Sequence, residues 1–152
     1  IDKLLVDKDK NHKLLGKTAI INSRLAYITF LKKFPNQNKK PLQKPLWGST
    51  GTKNPNYSDS VYIDKLIAPN TVNTVPLDTI EKFAKKGKPE NYNGWNEKEI
   101  LSQLSDLNKM GIDLNQITEN LQTKGVQLFV DSFDNLINSI KSKIINIQTQ
   151  SI

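Results

Sequence analysis

The chain has no cysteine, and among its 152 residues His12 is the only histidine and Arg24 the only arginine. Without cysteine there are no disulfides and no thiolate metal ligands, which fits a reducing, cytoplasmic setting. With a single histidine and no His/Asp/Glu spacing of the right kind, no metal site is expected. The near-absence of arginine, the preferred reader of base edges, argues against nucleic acid as a partner. Lysines stand singly or in pairs, as at Lys32-Lys33, Lys39-Lys40 and Lys85-Lys86, with no basic stripe interleaved with aromatics. No apolar run approaches the roughly 18 residues of a membrane span, so no membrane association is expected. The opening "IDKLLVDKDKNHK" is unlike a secretory signal. It starts on Ile rather than Met, so the chain is expected to begin inside a longer protein. Asn56-Tyr57-Ser58 matches a glycosylation sequon and, with no export signal, reads as coincidence.

What is present suits a packed domain. Hydrophobic residues make up 36%, with two Trp, five Phe and four Tyr. The net charge of +7 is uneven, since residues 1–76 hold 13 basic and 5 acidic side chains and residues 77–152 hold 9 and 10. Such an excess fits a solvated surface or a phosphorylated small substrate.

Helical spacing runs over 13–34, where Ile21, Leu25 and Ile28 share a face with Ala26 and Phe30 beside them. Pro35 stops it, and "NQNKKPLQKP" is a polar connection. Residues 45–49 read as a buried strand and 71–75, rich in β-branched residues, as a second. Between them Ser58 or Asp59 is placed to cap a short helix carrying Val61, Tyr62, Leu66 and Ile67. Asp78 with Glu81 has capping-box spacing and opens a helix over 78–86, with Ile80, Phe83 and Ala84 inward and Gly87 ending it. Residues 96–147 are helical in three pieces, capped at Asn96 and Asp113 and divided at Gly111 and Gly125. Strands alternating with helices imply a parallel sheet, because a parallel pair needs a crossover. His12 is expected to face solvent, and Asp59 and Asp64 to cap or to face solvent.

The segment "PLWGSTGTKNPNYSD", Pro45 to Asp59, carries the chemistry. It fails the nucleotide-phosphate motif, because four residues after Gly48 stands Lys53 where Gly is required, and G-x-G-x-x-G is absent. On residue types alone it is a linker, a tight turn or an anion loop. Gly48 and Gly51 permit close backbone approach, Ser49, Thr50 and Thr52 bear hydroxyls, and Lys53 adds one positive charge.

In order along the chain, "RLAY" (Arg24–Tyr27), "PLWGSTGTKNPNYSD", "LIAPNTVNTVP" and "GVQLFVDSFDNLI" resemble the C-terminal part of transaldolases. The resemblance runs from about Lys13 to the end of the last helix and is closest to a bacterial subgroup that has Ala where Gly48 stands. It implies an α/β fold, the last two parallel strands of a (β/α)8 barrel followed by a helical C-terminal extension. It also implies a transferase of the pentose phosphate pathway, without metal or cofactor. Such enzymes move a dihydroxyacetone unit from sedoheptulose 7-phosphate to glyceraldehyde 3-phosphate through a lysine Schiff base. By this likeness Lys53, with Ser49, Thr50 and Thr52, holds the substrate phosphate, where other subgroups use Arg in place of Lys53.

The family's imine-forming lysine would precede Ile1, so no catalytic residue is expected in this chain. A sugar phosphate and the N-terminal half of the barrel, in the same or another chain, are the expected partners. The competing account is a non-catalytic sugar-phosphate-binding or structural remnant.

Overall fold

The computed structural model describes residues 1–10, 12–35 and 43–150; most of the polar connection after Pro35 lies outside them. Its elements are α1 (Asp2–Lys8), α2 (Thr18–Lys33), β1 (Leu46–Trp47), α3 (Val61–Leu66), β2 (Val72–Asn73), α4 (Leu77–Lys86), α5 (Glu97–Lys109) and α6 (Leu114–Gln150). Ile1–Ile112 form one compact unit and Asp113–Ile152 a second.

In the first unit, β1 and β2 pair in parallel, Leu46 with Val72 and Trp47 with Asn73. The Val72 amide donates to Pro45 O and the Thr74 amide to Trp47 O, each at 2.9 Å. The strands are shorter than the sequence suggests, and the first is not buried. Leu46 is 58% and Val72 42% exposed, because the pair has no further strand beside it among the described residues and only alternate side chains meet a neighbouring element.

α2 packs on α3 and α5. Thr18, Ile20, Ile21, Tyr27 and Phe30 are its buried residues. Leu5, Leu14, Tyr27, Leu107 and Ile112 are the largest fully buried side chains; each aliphatic one contributes about 1.5–3 kcal/mol through burial. Tyr27 is the hub. Its hydroxyl donates to Pro69 O at 2.9 Å, and its ring meets Trp95 at 5.2 Å and Tyr92 at 5.7 Å, both edge-on. Arg24 lies over Trp95 at 5.1 Å and donates to Lys65 O (2.9 Å) and Glu90 (3.1 Å). Lys65 also pairs with Glu90. The Lys65 hydrogen bond, with help from Arg24, holds the Glu90 carboxyl below its ordinary value.

Several boundaries differ from expectation for identifiable reasons. α2 begins at Thr18, not at 13, because Gly16 takes φ +69°, a left-handed conformation no right-handed helix can include. α1 was not anticipated at all; its inward residue is Leu5. α4 starts at Leu77 on Pro76, with the Thr79 and Ile80 amides donating to Pro76 O. That puts Asp78 inside the first turn, where it makes no cap hydrogen bond. The same helix buries Thr79 and leaves Ile80 and Ala84 exposed, with Phe83 half-buried. α3 starts after Ser60 with no side-chain cap, and Ile67 lies beyond its end, exposed. Asn96 does cap α5, accepting from the Lys98 and Glu99 amides, and Asp113 accepts from the Asn115 and Gln116 amides at the start of α6.

α6 runs unbroken through Gly125. One glycine costs about 1 kcal/mol in a helix interior, too little to interrupt strong flanking turns.

Two polar residues expected to face solvent do not. His12 is half-buried and accepts from the Leu14 amide through Nδ1 at 3.3 Å. Asp64 is buried, accepting from Ser60 Oγ (2.9 Å) and the Lys88 amide (2.8 Å). Its backbone carbonyl accepts from the Glu90 amide at 2.8 Å. Asp64 thereby ties the 88–95 segment to α3.

Replacing Asp64 by Ala should cost about 1.5–3 kcal/mol in urea unfolding, since the buried Ser60 hydroxyl and the part-buried Lys88 amide lose their acceptor. A loss under 0.5 kcal/mol would show that water replaces the carboxylate. The Tyr27 hydroxyl is pushed up to about 12, first by burial and then by Tyr92. The folded state therefore holds its proton beyond the unfolded value of 10.0, and stability should fall as pH rises from about 10 to 12. In Tyr27→Phe this part of the decline should vanish from alkaline denaturation curves.

Candidate functional site

The loop from Gly48 to Ser60 leaves the end of β1 and is fixed at several points. Ser49 has φ +44°, unusual for a residue with a side chain. Its amide donates to Thr74 Oγ1 at 3.1 Å, and that hydroxyl donates to Trp47 O at 3.0 Å. Thr74, just beyond β2, thus clamps the loop entry. Backbone strain of this kind costs about 1–3 kcal/mol and persists only where neighbours enforce it. Gly48 makes no such demand: a methyl added there would meet nothing within 4 Å. The Ala usual in the resembling sequences therefore fits without adjustment.

Thr50 is buried, and its hydroxyl donates to Asn73 Oδ1 at 2.9 Å. Thr52 donates to Asp59 O at 3.0 Å. These two hydroxyl protons are committed inside the chain, unlike the free donors the sequence suggested. Lys53 is exposed and makes no ion pair among the described residues. Among those residues the amides of Thr50, Gly51, Thr52 and Lys53 also donate to no acceptor of the chain. The Lys53 ammonium and the Ser49 hydroxyl are thus left without a partner among the described residues.

Lys53, Ser49 and Thr50 line a cavity of about 560 Å³ together with Trp47, Tyr57 and Asp2. Thr52 lies on a second hollow of about 190 Å³ that shares Lys53 and Ser49 and adds Lys82. Lys82 pairs with Asp59 at 3.1 Å, so its charge is already compensated.

The far wall was not legible from sequence. Asp2 Oδ2 accepts from the Tyr57 hydroxyl at 2.8 Å, and both Asp2 oxygens accept from the Gly16 amide at 3.2 Å. The hydrogen bond to Asp2 raises the Tyr57 hydroxyl above its ordinary value. The Tyr57 ring sits where a Gly16 side chain would be, 2.9 Å from an added Cβ. Glycine at 16 is needed both for its φ and for this approach. A capping pair of Asp and Gly fourteen residues apart has no sequence signature, so this contact emerges only in the fold. Among the described residues no cluster of His, Cys, Asp or Glu is placed to hold a metal ion.

A sequence model of the transaldolase/fructose-6-phosphate aldolase family matches residues 1–140. The chain belongs to that family. It is 38% identical over 139 residues to a transaldolase of Frankia alni, covering 86% of this chain and 38% of that protein. With a transaldolase of Trichodesmium erythraeum the identity is 38% over 147 residues, covering 90% and 38%. With one from Saccharopolyspora erythraea it is 36% over 155 residues, covering 95% and 42%. The chain thus spans about two-fifths of the length of these relatives.

Two substitutions separate the scaffold of the loop from its free charge. Thr50→Val, which leaves Asn73 without its donor in a buried place, should cost about 1–3 kcal/mol. Lys53→Met should stay within about 0.5 kcal/mol of the parent. Both are read by chemical denaturation; equal losses would mean Lys53 is structurally engaged.

Proposed function

We propose that this chain is the C-terminal, phosphate-holding part of a transaldolase-type (β/α)8 barrel. The supporting observation is Lys53, without an ion pair among the described residues, on the wall of the 560 Å³ cavity, with Ser49, Thr50 and Gly51 beside it in the loop that follows a parallel strand. A dianionic phosphate ester is met there by the Lys53 charge and neutral donors, while the Asp2 carboxylate on the far wall is engaged by the Tyr57 hydroxyl and the Gly16 amide. Lysine contributes as a point charge, without the two-pronged geometry of Arg. Ser49 offers a hydroxyl directly, whereas Thr50 and Thr52 contribute amides and use their hydroxyls to hold the loop.

Lys53 is not the imine-forming residue in this reading. A Schiff-base lysine needs burial or a nearby uncompensated cation to favour the free amine, and Lys53 is exposed. The nucleophile comes from the N-terminal part of the barrel, in the same or another chain. It attacks the ketose carbonyl and loses water to give the imine, which accepts the electron pair as the carbon–carbon bond breaks. A dihydroxyacetone unit is thereby passed from sedoheptulose 7-phosphate to glyceraldehyde 3-phosphate, as cytoplasmic pentose phosphate chemistry. Alone, the chain binds and does not turn over. Among the described residues no helix is long and apolar enough to cross a membrane.

Lys53→Ala should weaken binding of fructose 6-phosphate about tenfold or more by calorimetry, with the unfolding midpoint unchanged. Supplied with an N-terminal barrel segment, the parent chain should yield a borohydride-trapped adduct on that segment in the presence of fructose 6-phosphate. Binding without any adduct would leave a non-catalytic sugar-phosphate module, and absence of both would overturn the assignment.

A further inference from the structure

Residues 87–96, neither helix nor strand, hold a feature that phosphate binding does not use. Asn93-Gly94 is the only Asn-Gly pair in the chain. Gly94 has no side chain to shield its amide nitrogen, and its φ of +85° is a conformation that glycine holds without strain. Among the described residues neither the Asn93 carboxamide nor the Gly94 amide makes a hydrogen bond. A Cβ built on Gly94 would meet nothing within 4 Å, so no neighbour packs against the backbone on that side.

The residues around this pair are those that brace α2. Tyr92 and Trp95, one on each side of it, meet edge-on at 5.1 Å, and both rings meet Tyr27. Asn93 and Gly94 line a cavity of about 450 Å³ whose wall carries Lys17, Arg24 and Lys65 against two acids, Glu90 and Glu99. Arg24 Nε is itself buried without a hydrogen-bond partner among the described residues.

We propose that Asn93 is a site of self-modification, at which the chain converts its own asparagine to aspartate and isoaspartate. The Gly94 amide nitrogen attacks Asn93 Cγ and a new C–N bond forms there. The bond from Cγ to the side-chain nitrogen breaks, and ammonia leaves with the Gly94 amide proton. Ring closure is fast because both reacting atoms are held on adjacent residues. Water then opens the cyclic imide at either carbonyl. Opening at the side-chain carbonyl leaves aspartate; opening at the backbone carbonyl leaves isoaspartate, with an extra methylene in the main chain. Both products put a carboxylate on a wall with surplus positive charge. Only isoaspartate lengthens the tether between Tyr92 and Trp95. The aspartate form therefore keeps the aromatic cluster, whereas the isoaspartate form loosens the hold of both rings on Tyr27.

The test is to age the full chain in mildly alkaline buffer and follow it by peptide mapping and mass spectrometry. The peptide holding Asn93 should gain the mass difference between an amide and a carboxylic acid, and isoaspartyl methyltransferase should label it. Asn93→Gln, which must close a larger ring, should react at least about tenfold more slowly. The isoaspartate fraction, separated by ion exchange, should unfold at a lower urea midpoint than the parent. Freshly prepared Asn93→Asp should stay near the parent, which separates the added charge from the lengthened backbone. An unchanged Asn93 peptide, other asparagines reacting as fast, or Asn93→Gln reacting at the parent's rate would overturn the assignment. An isoaspartate fraction as stable as the parent would overturn the coupling to Tyr27.

Discussion

The short parallel ladder between Pro45–Trp47 and Val72–Thr74 is the constraint from which the candidate site follows. Two backbone hydrogen bonds at 2.9 Å set which residue of one strand faces which residue of the other. That register brings Thr74 beside the carbonyl of Trp47 and the amide of Ser49, and Asn73 beside the hydroxyl of Thr50. Shifting the pairing by one residue would send Asn73 and Thr74 to opposite faces and release both ends of the loop. A two-stranded sheet is marginal alone. Its support comes from outside the ladder: Trp47 Nε1 donates to Leu66 O at 3.0 Å, and the Tyr27 hydroxyl holds Pro69 just before β2.

Tyr27 and Arg24 lie on the same helix and work on the same neighbour by different means. The tyrosine joins aromatic packing to one buried hydrogen bond, whereas the arginine joins stacking on Trp95 to two donors aimed at α3 and Glu90. Asp64 adds the reciprocal tie from α3 to Lys88. The segment 88–95, too rich in Gly, Pro and Asn for regular structure, is thus held by side chains reaching it from two helices. Through Arg24 these ties join α2 to α3, whose Tyr62 and Leu66 line the cavity next to the loop.

Residue patterns made part of this legible. Alternation of strand-like and helical segments gave the parallel relation, and the Asn96 and Asp113 caps stood where the side-chain oxygens are needed. The exposed lysine on a Gly- and hydroxyl-rich loop after the first strand was legible because glycine and lysine act locally. Hydroxyl roles were not. Thr50 and Thr52 look like free donors until the fold shows that Asn73 and Asp59 O already take their protons. Asp64 looked solvated for the same reason, since its partners at Ser60 and Lys88 include one twenty-four residues away. Asp2, Gly16 and Tyr57 form a unit across 55 residues of chain, beyond the reach of any spacing rule. The late start of α2 and the continuity of α6 both turned on single glycines: Gly16 at positive φ ends helical geometry, whereas Gly125 merely weakens it.

On the proposed reading, holding an anion and performing covalent chemistry do not share residues. Its strained point, Ser49, is held by Thr74, and its buried point, Thr50, by Asn73, so neither depends on a ligand to keep its place. Lys53 is left exposed and unpaired at the tip, which costs little in water and leaves its charge available. On the proposed reading, a backbone already held in place binds a phosphate with small reorganisation and discriminates weakly among the sugars attached to it. Discrimination would then arise where the carbon skeleton lies, against walls to which Trp47, Tyr57 and Asp2 of this cavity contribute. In the proposed barrel, phosphate affinity and sugar selectivity would accordingly be separable, the first residing in this chain and the second arising where its walls meet the remainder.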